Sequence, residues 1–111
     1  MDPDEYQAFT KTTVVYPSLD QAKHEKIVEV MYLTLGLTGE TGEIAEKVKK
    51  WYRDEKLDVP LIEKEIGDVC WYLARICDTL GLSFNNVLEK NVQKLSKRKA
   101  DQKLHGSGDE R

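Results

Sequence analysis

Apolar residues recur along this chain at gaps of three and four. The clearest run is Ile62, Ile66, Val69, Leu73, Ile76 and Leu80, which sets a stripe along one side of an α-helix and predicts the central core helix. Pro60 suits its first turn and Gly81 its end. Ser83 is placed to cap a following helix that runs to about Ala100 through Val87, Leu88, Val92 and Leu95. Upstream, Ile27, Val30, Met31, Leu35, Ile44, Val48 and Trp51 predict a long helix from about Gln21 to Arg53, with Ser18 or Asp20 as its cap. A modest helix from Asp2 to Val15, with Tyr6, Phe9 and Thr13 or Val14 on one side, precedes it. Its β-branched Thr-Thr-Val-Val end should fray before Tyr16-Pro17. Gly36, Gly39 and Gly42 fall inside the long helix. At about 1 kcal/mol each relative to alanine, they either break it or are kept for close packing or for room beside Glu40 and Glu43.

No strand alternation and no internal repeat interrupts this pattern. With 111 residues, the chain is one domain over residues 1–100, with 101–111 as a flexible tail. The expected architecture is all-α, an antiparallel four-helix bundle-like arrangement, because short connections make neighbouring helices antiparallel. Large apolar residues on more than one side of the second and third helices call for cover by identical copies, as a homodimer or homotetramer.

Charge changes the picture at one end. Lys90 to Lys103 holds six Lys/Arg against a single acid, a net +5, which leaves −8 for the rest of a chain whose formal charge is −3. A solvated basic helix end accounts for the run, and the acidic remainder argues against a stable nucleic-acid complex. Uncharged stretches fall far short of the ~20 residues that cross a bilayer, and the acidic N-terminus does not read as a secretion signal, so a cytoplasmic address is expected. Cys70 and Cys77, seven apart on one helix, are too far separated for a disulfide. Neither His24 nor His105 stands at a zinc-ligand spacing.

The chemistry concentrates in two acid pairs, Glu40-Thr41-Gly42-Glu43 and Glu65-Ile66-Gly67-Asp68. Each i, i+3 spacing sets two carboxylates on one helical face, where like charges repel. Alone, either pair reads as a solvated surface. Folded together across a helical hairpin, four carboxylates require a cation, and Mg²⁺ suits an all-oxygen site that also holds phosphates. Glu46 and Glu63 read as surface acids. Ser/His/Asp and Cys/His sets and glycine-rich strand-to-helix loops are missing, which removes nucleophilic and Rossmann-type chemistry.

These pairs in their context, Gly39 to Glu46 and Glu65 to Ala74, together with Asn91-Val92-Gln93-Lys94-Leu95-Ser96-Lys97-Arg98, resemble the MazG-like nucleoside triphosphate pyrophosphohydrolases of the all-α NTP pyrophosphatase superfamily. The E-x-x-E and E-x-x-D motifs are separated here by 21 residues, Ile44 to Lys64. The resemblance spans about His24 to Arg98. More loosely, Tyr6-Gln7, Tyr16-Pro17 and the closing Gly106-Ser107-Gly108-Asp109-x-Arg111 are similar to a phage and bacterial subgroup.

The resemblance implies Mg²⁺-dependent cleavage of a nucleoside triphosphate to monophosphate and pyrophosphate, with Mn²⁺ as a substitute, for nucleotide-pool control or house-cleaning. It maps Glu40, Glu43, Glu65 and Asp68 onto metal ligands and favours Glu40 to orient or deprotonate water. Tyr72, four residues after Asp68, serves either as a contact to sugar or phosphate or as a half-buried aromatic; Asn91, Lys94 and Arg98 share a face from which the basic side chains would hold the triphosphate, with a surface or subunit contact as the alternative for Arg98. Lys47, one turn after Glu43, serves either an intrahelical ion pair or a phosphate. The competing reading is a non-enzymatic helical interaction module whose acid pairs are only surface.

Overall fold

The computed structural model describes residues 1–16 and 25–109. Proposed caps Ser18 and Asp20 and the predicted start at Gln21 lie outside these residues. Four helices and no strand are found among the described residues: α1 (Pro3–Lys11), α2 (Glu25–Asp54), α3 (Val59–Thr79) and α4 (Phe84–Ala100). The chain is all-α, as its periodicity predicts. None of these helices is long and apolar enough to cross a membrane.

Local chemistry sets the boundaries. Asp2 caps α1 by accepting from the Glu5 amide at 2.9 Å, and Pro3 fills the first turn. The helix stops at Lys11, four residues before the expected end. Thr12 and Thr13 donate their hydroxyls to the carbonyls of Phe9 and Thr10, at 2.7 and 2.9 Å, so side chains occupy acceptors that a continuing helix would use. The long α2 passes unbroken through Gly36, Gly39 and Gly42. Glu55, at φ 57°, turns the chain out of α2, and Asp58 caps α3 through the Leu61 amide at 3.1 Å. Gly81, at φ +71°, ends α3, with the amides of Gly81 and Leu82 returning to the carbonyls of Asp78 and Cys77. Ser83 caps α4 as expected.

Helices α2 and α3 form an antiparallel hairpin, and α3 also packs against α1 and α4. Polar side chains fasten α1 across the other two. The buried Gln7 accepts from the Phe84 amide at 2.7 Å and donates to the Leu82 carbonyl at 2.8 Å, which holds the α3–α4 turn. Arg75, also buried, donates to Asp78 at 2.8 Å and to Thr10 Oγ1 at 3.3 Å. Asp4 receives the Ser83 hydroxyl and the Asn85 amide, which places a carboxylate at the N-terminus of α4.

The α3 stripe departs from its expected role. Ile62, Val69 and Ile76, spaced by seven, are half-buried, whereas Ile66, Leu73 and Leu80, also spaced by seven, remain exposed. The buried hydrophobic residues are Leu33, Ala74, Cys77 and Phe84. On α2, Ile27, Met31 and Leu35 are exposed as well. Helix α4 does not pack on α2 among the described residues, so the bundle is open on one side. The radius of gyration is 17.0 Å, against about 13 Å for a compact domain of this length.

Residues 101–109, read from the sequence as a flexible tail, fold back along α4. The amides of Gln102 and Lys103 return to the carbonyls of Lys99 and Arg98, and Gln102 takes the left-handed conformation at φ 56°. This is the same helix-ending motif that Gly81 makes, built without glycine.

Candidate active site

The antiparallel register of the hairpin pairs low positions of α2 with high positions of α3, and so brings Glu40 beside Asp68 and Glu65. One carboxylate oxygen from each of Glu40, Glu65 and Asp68 lies within 4.8 Å of the other two. Burial raises the pKa of Glu40 above its ordinary value; the Glu65 carboxyl and the charges of Asp68 and Glu43 push in the same direction. Helical spacing thus sets up the local pair and tertiary folding supplies the third oxygen.

Of the four expected carboxylates, three meet in this cluster, and Glu43 forms an ion pair with Lys47, one turn along α2, at 3.6 Å. Lys47 also lies 4.0 Å from Glu65. Lys47 therefore sits at the rim of the acidic cluster, in the ion pair that its spacing allowed.

Glu40 and Asp68 open into a cavity of about 400 Å³ whose other walls are Phe9, Thr13, Trp71 and Tyr72. Tyr72 reaches its place across Gly36, where any side chain would overlap its ring. Burial, followed by the charge of Glu40, raises the Tyr72 hydroxyl pKa. Trp71 stands edge-on to Tyr72, with ring centres 5.1 Å apart, and donates its indole N–H to Thr13 Oγ1 at 2.8 Å. Tyr16 packs edge-on against Trp71 and donates to Glu29 at 2.7 Å; burial and then Glu29 push its pKa up to about 12.

Phe9, Thr13 and Trp71 are the wall residues that sequence reasoning did not assign to the site. For Phe9 and Thr13 the signal was their place on one face of the first helix with Tyr6. What could not be read was the contact itself, which joins positions 58 residues apart.

The predicted substrate residues of α4 lie elsewhere in the chain. Asn91 and Lys94 line a second cavity of about 500 Å³ against Leu82, Ser83 and Lys90. Arg98 is buried beneath the returning tail, where it donates to the Asp109 carbonyl at 3.0 Å and carboxylate at 3.2 Å. Tyr72 is beside the carboxylates; Asn91, Lys94 and Arg98 are not brought to them within one chain.

The carboxylate set fits a hard divalent ion. It contains only oxygen donors, and one oxygen from each of the three carboxylates lies within 4.8 Å of the others.

Comparisons with known proteins meet this geometry. The model of the MazG nucleotide pyrophosphohydrolase domain matches residues 29–102, a span that contains all three clustered carboxylates and the whole of α4. The chain is also 37% identical, over the full length of both, to the Gene 37 protein of Mycobacterium phage L5. No solved structure gives a significant match. With the carboxylates of α2 and α3 meeting inside the matched span, the chain belongs to the MazG nucleotide pyrophosphohydrolase family.

Proposed function

We propose that this protein is a Mg²⁺-dependent nucleoside triphosphate pyrophosphohydrolase, converting (d)NTP to (d)NMP and pyrophosphate in nucleotide-pool control or house-cleaning. The observation that carries the reading is the convergence of Glu40, Glu65 and Asp68 at the mouth of an aromatic-walled cavity. Glu40, Glu65 and Asp68 would hold Mg²⁺, or Mn²⁺ in its place, and Glu43 stands one turn away to join them on release from Lys47. Bound there, the ion supplies positive charge to the phosphates and makes water more acidic.

The remaining work falls to this chain's own groups. Water attacks the α-phosphorus, the α–β bridging oxygen leaves with pyrophosphate, and the proton passes to a Glu40 carboxylate oxygen. The Tyr72 hydroxyl is placed for the sugar or a phosphate, and Phe9 and Trp71 offer apolar faces to a base.

Lys47 is close enough to the cluster to exchange a carboxylate for a phosphate oxygen. Asn91, Lys94 and Arg98 reach substrate in this reading through self-association, which also covers Ile66, Leu73 and Leu80 on α3 and Met31 and Leu35 on α2. The exposed seams and the extended shape support such an assembly.

The test is product analysis by phosphorus NMR with each common NTP and dNTP, with and without Mg²⁺, beside a Glu65→Gln control. Monophosphate and pyrophosphate that require Mg²⁺ and disappear in the control are the expected result. Orthophosphate as the first product would replace the reading with another phosphatase chemistry. No turnover, with Mg²⁺ leaving the melting temperature unchanged, would favour the interaction module.

A further inference from the structure

The end of the chain supplies its own anion to the cations of α4. Asp109 Oδ1 lies 3.0 Å from Lys94 Nζ and 3.2 Å from an Arg98 terminal nitrogen, which also donates to the Asp109 and Gly108 carbonyls at 3.0 and 3.4 Å. Backbone geometry directs the carboxylate there. The left-handed Gln102 reverses the chain at the end of α4, and Gly108, at φ +79°, makes the last turn before Asp109. A left-handed glutamine is disfavoured by sterics, so its use marks a return that the rest of the tail has to hold in place.

The grip is unequal on its two sides. The Arg98 side chain is 6% exposed and Asp109 is 79% exposed, so water reaches the anion but not the guanidinium that it meets. Ion pairs of so exposed a carboxylate are weak and are screened by salt. A phosphate group carries more charge and more acceptor oxygens than one carboxylate, and a guanidinium beside an ammonium favours it.

We propose that Asp109 is a releasable internal anion: in the resting chain it occupies the Lys94–Arg98 pair, and a phosphate or pyrophosphate group displaces it, lifting the tail from α4. This rests on the reading that Lys94 and Arg98 meet substrate or product phosphates. The tail then weakens anion binding by competition and takes no part in the chemical step.

The experiment uses the full chain and its Asp109→Asn variant, with pyrophosphate as the probe. Titration calorimetry should show pyrophosphate binding about threefold to tenfold tighter in the variant, with a comparable fall in KM for the nucleotide and kcat changed less than about twofold. In the parent protein, the amide signals of Gly106 and Gly108 should sharpen as pyrophosphate is added. Gly108→Ala, whose backbone conformation a side chain disfavours, should loosen the tail and tighten pyrophosphate in the same way while keeping Asp109.

If Lys94→Ala weakens pyrophosphate binding but Asp109→Asn and Gly108→Ala leave it unchanged or weaken it, the tail is a brace and the proposal is overturned with the phosphate reading intact. If Lys94→Ala and Arg98→Ala change neither pyrophosphate affinity nor KM, the phosphate reading itself fails and takes the proposal with it.

Discussion

At the acidic end, Glu40, Glu65 and Asp68 stand together with Lys47 at their rim, whereas at the basic end Lys94 and Arg98 close on Asp109. Both ends arise from helical spacing that places like charges on one face. They differ in what the fold brings opposite: α3 brings more negative charge to α2, and the tail brings a carboxylate to α4. Burial first, and then the neighbouring carboxylates, hold Glu40 above its ordinary pKa, while Lys94 and then Arg98 hold Asp109 below its own. A charge cluster that folding leaves with excess repulsion is eased by an external cation, whereas one that folding neutralises is reached only by a ligand that outcompetes the chain.

The largest expected effect comes from removing charge at the acidic end. Glu65→Gln or Asp68→Asn should lower turnover by at least about 100-fold, more than the loss typical of an outer-shell change. In EDTA, the same variants should melt higher than the parent, because each relieves repulsion that the ion otherwise offsets. Glu43→Gln should cost less than about tenfold, since that carboxylate is paired with Lys47 and is not among the three that meet. Steady-state assays paired with melts in Mg²⁺ and in EDTA check all of this. Equal losses for Glu43 and Glu65 would mean that four ligands act together, and a metal-free melt that falls on Glu65→Gln would remove the contrast between the two ends.

A smaller effect separates the glycines of α2. Gly36→Ala places a Cβ into the Tyr72 ring, and overpacking of this kind costs about 1–3 kcal/mol. Gly39→Ala meets nothing within 4 Å and should instead gain up to about 1 kcal/mol from helix propensity. Urea denaturation of the two variants reads the difference directly. A loss at Gly39 would place a second copy's backbone against it and identify this part of α2 as an interface.

Much of this was legible in the sequence, for reasons that also set the limit. The α3 and α4 boundaries follow from Pro60, Gly81 and Ser83, whose chemistry acts within a few residues. The paired carboxylates follow from i, i+3 spacing, and their meeting follows from a short connection. The exchange of Glu43 for an ion pair was visible only as an i, i+4 alternative, which spacing alone could not decide.

The walls contributed by Phe9 and Thr13 depend on a tertiary contact of α1. The returning tail turns at Gln102, where no glycine announces a reversal. The heptad split of α3 into Ile62, Val69, Ile76 and Ile66, Leu73, Leu80 looks like one stripe in sequence. Only the neighbours of each seam distinguish the half-buried from the exposed.

The smallest effect is a pair of opposed pH dependences in the metal-free protein. Because the folded pKa of Glu40 is raised above its ordinary 4.5, the folded chain takes up this proton more readily than the unfolded chain. Its contribution to stability is present at low pH and lost as the pH rises through the folded value. Asp109 has the reverse sign: its folded pKa lies below the ordinary 3.8, held down by Lys94 and then Arg98. Its contribution is present above the unfolded value and lost as the pH falls through the folded one.

In EDTA, Glu40→Gln should therefore melt above the parent at pH 7, and the gap should narrow as the pH approaches 5. Asp109→Asn should melt below the parent at pH 7, and that gap should close only below about pH 4. Saturating Mg²⁺ should reverse the first gap, since the ion requires ionised Glu40, and leave the second unchanged. Gaps that stay constant with pH, or that close over the same range, would mean that the two carboxylates do not sit in the opposed electrostatic surroundings from which the functional reading of each end is built.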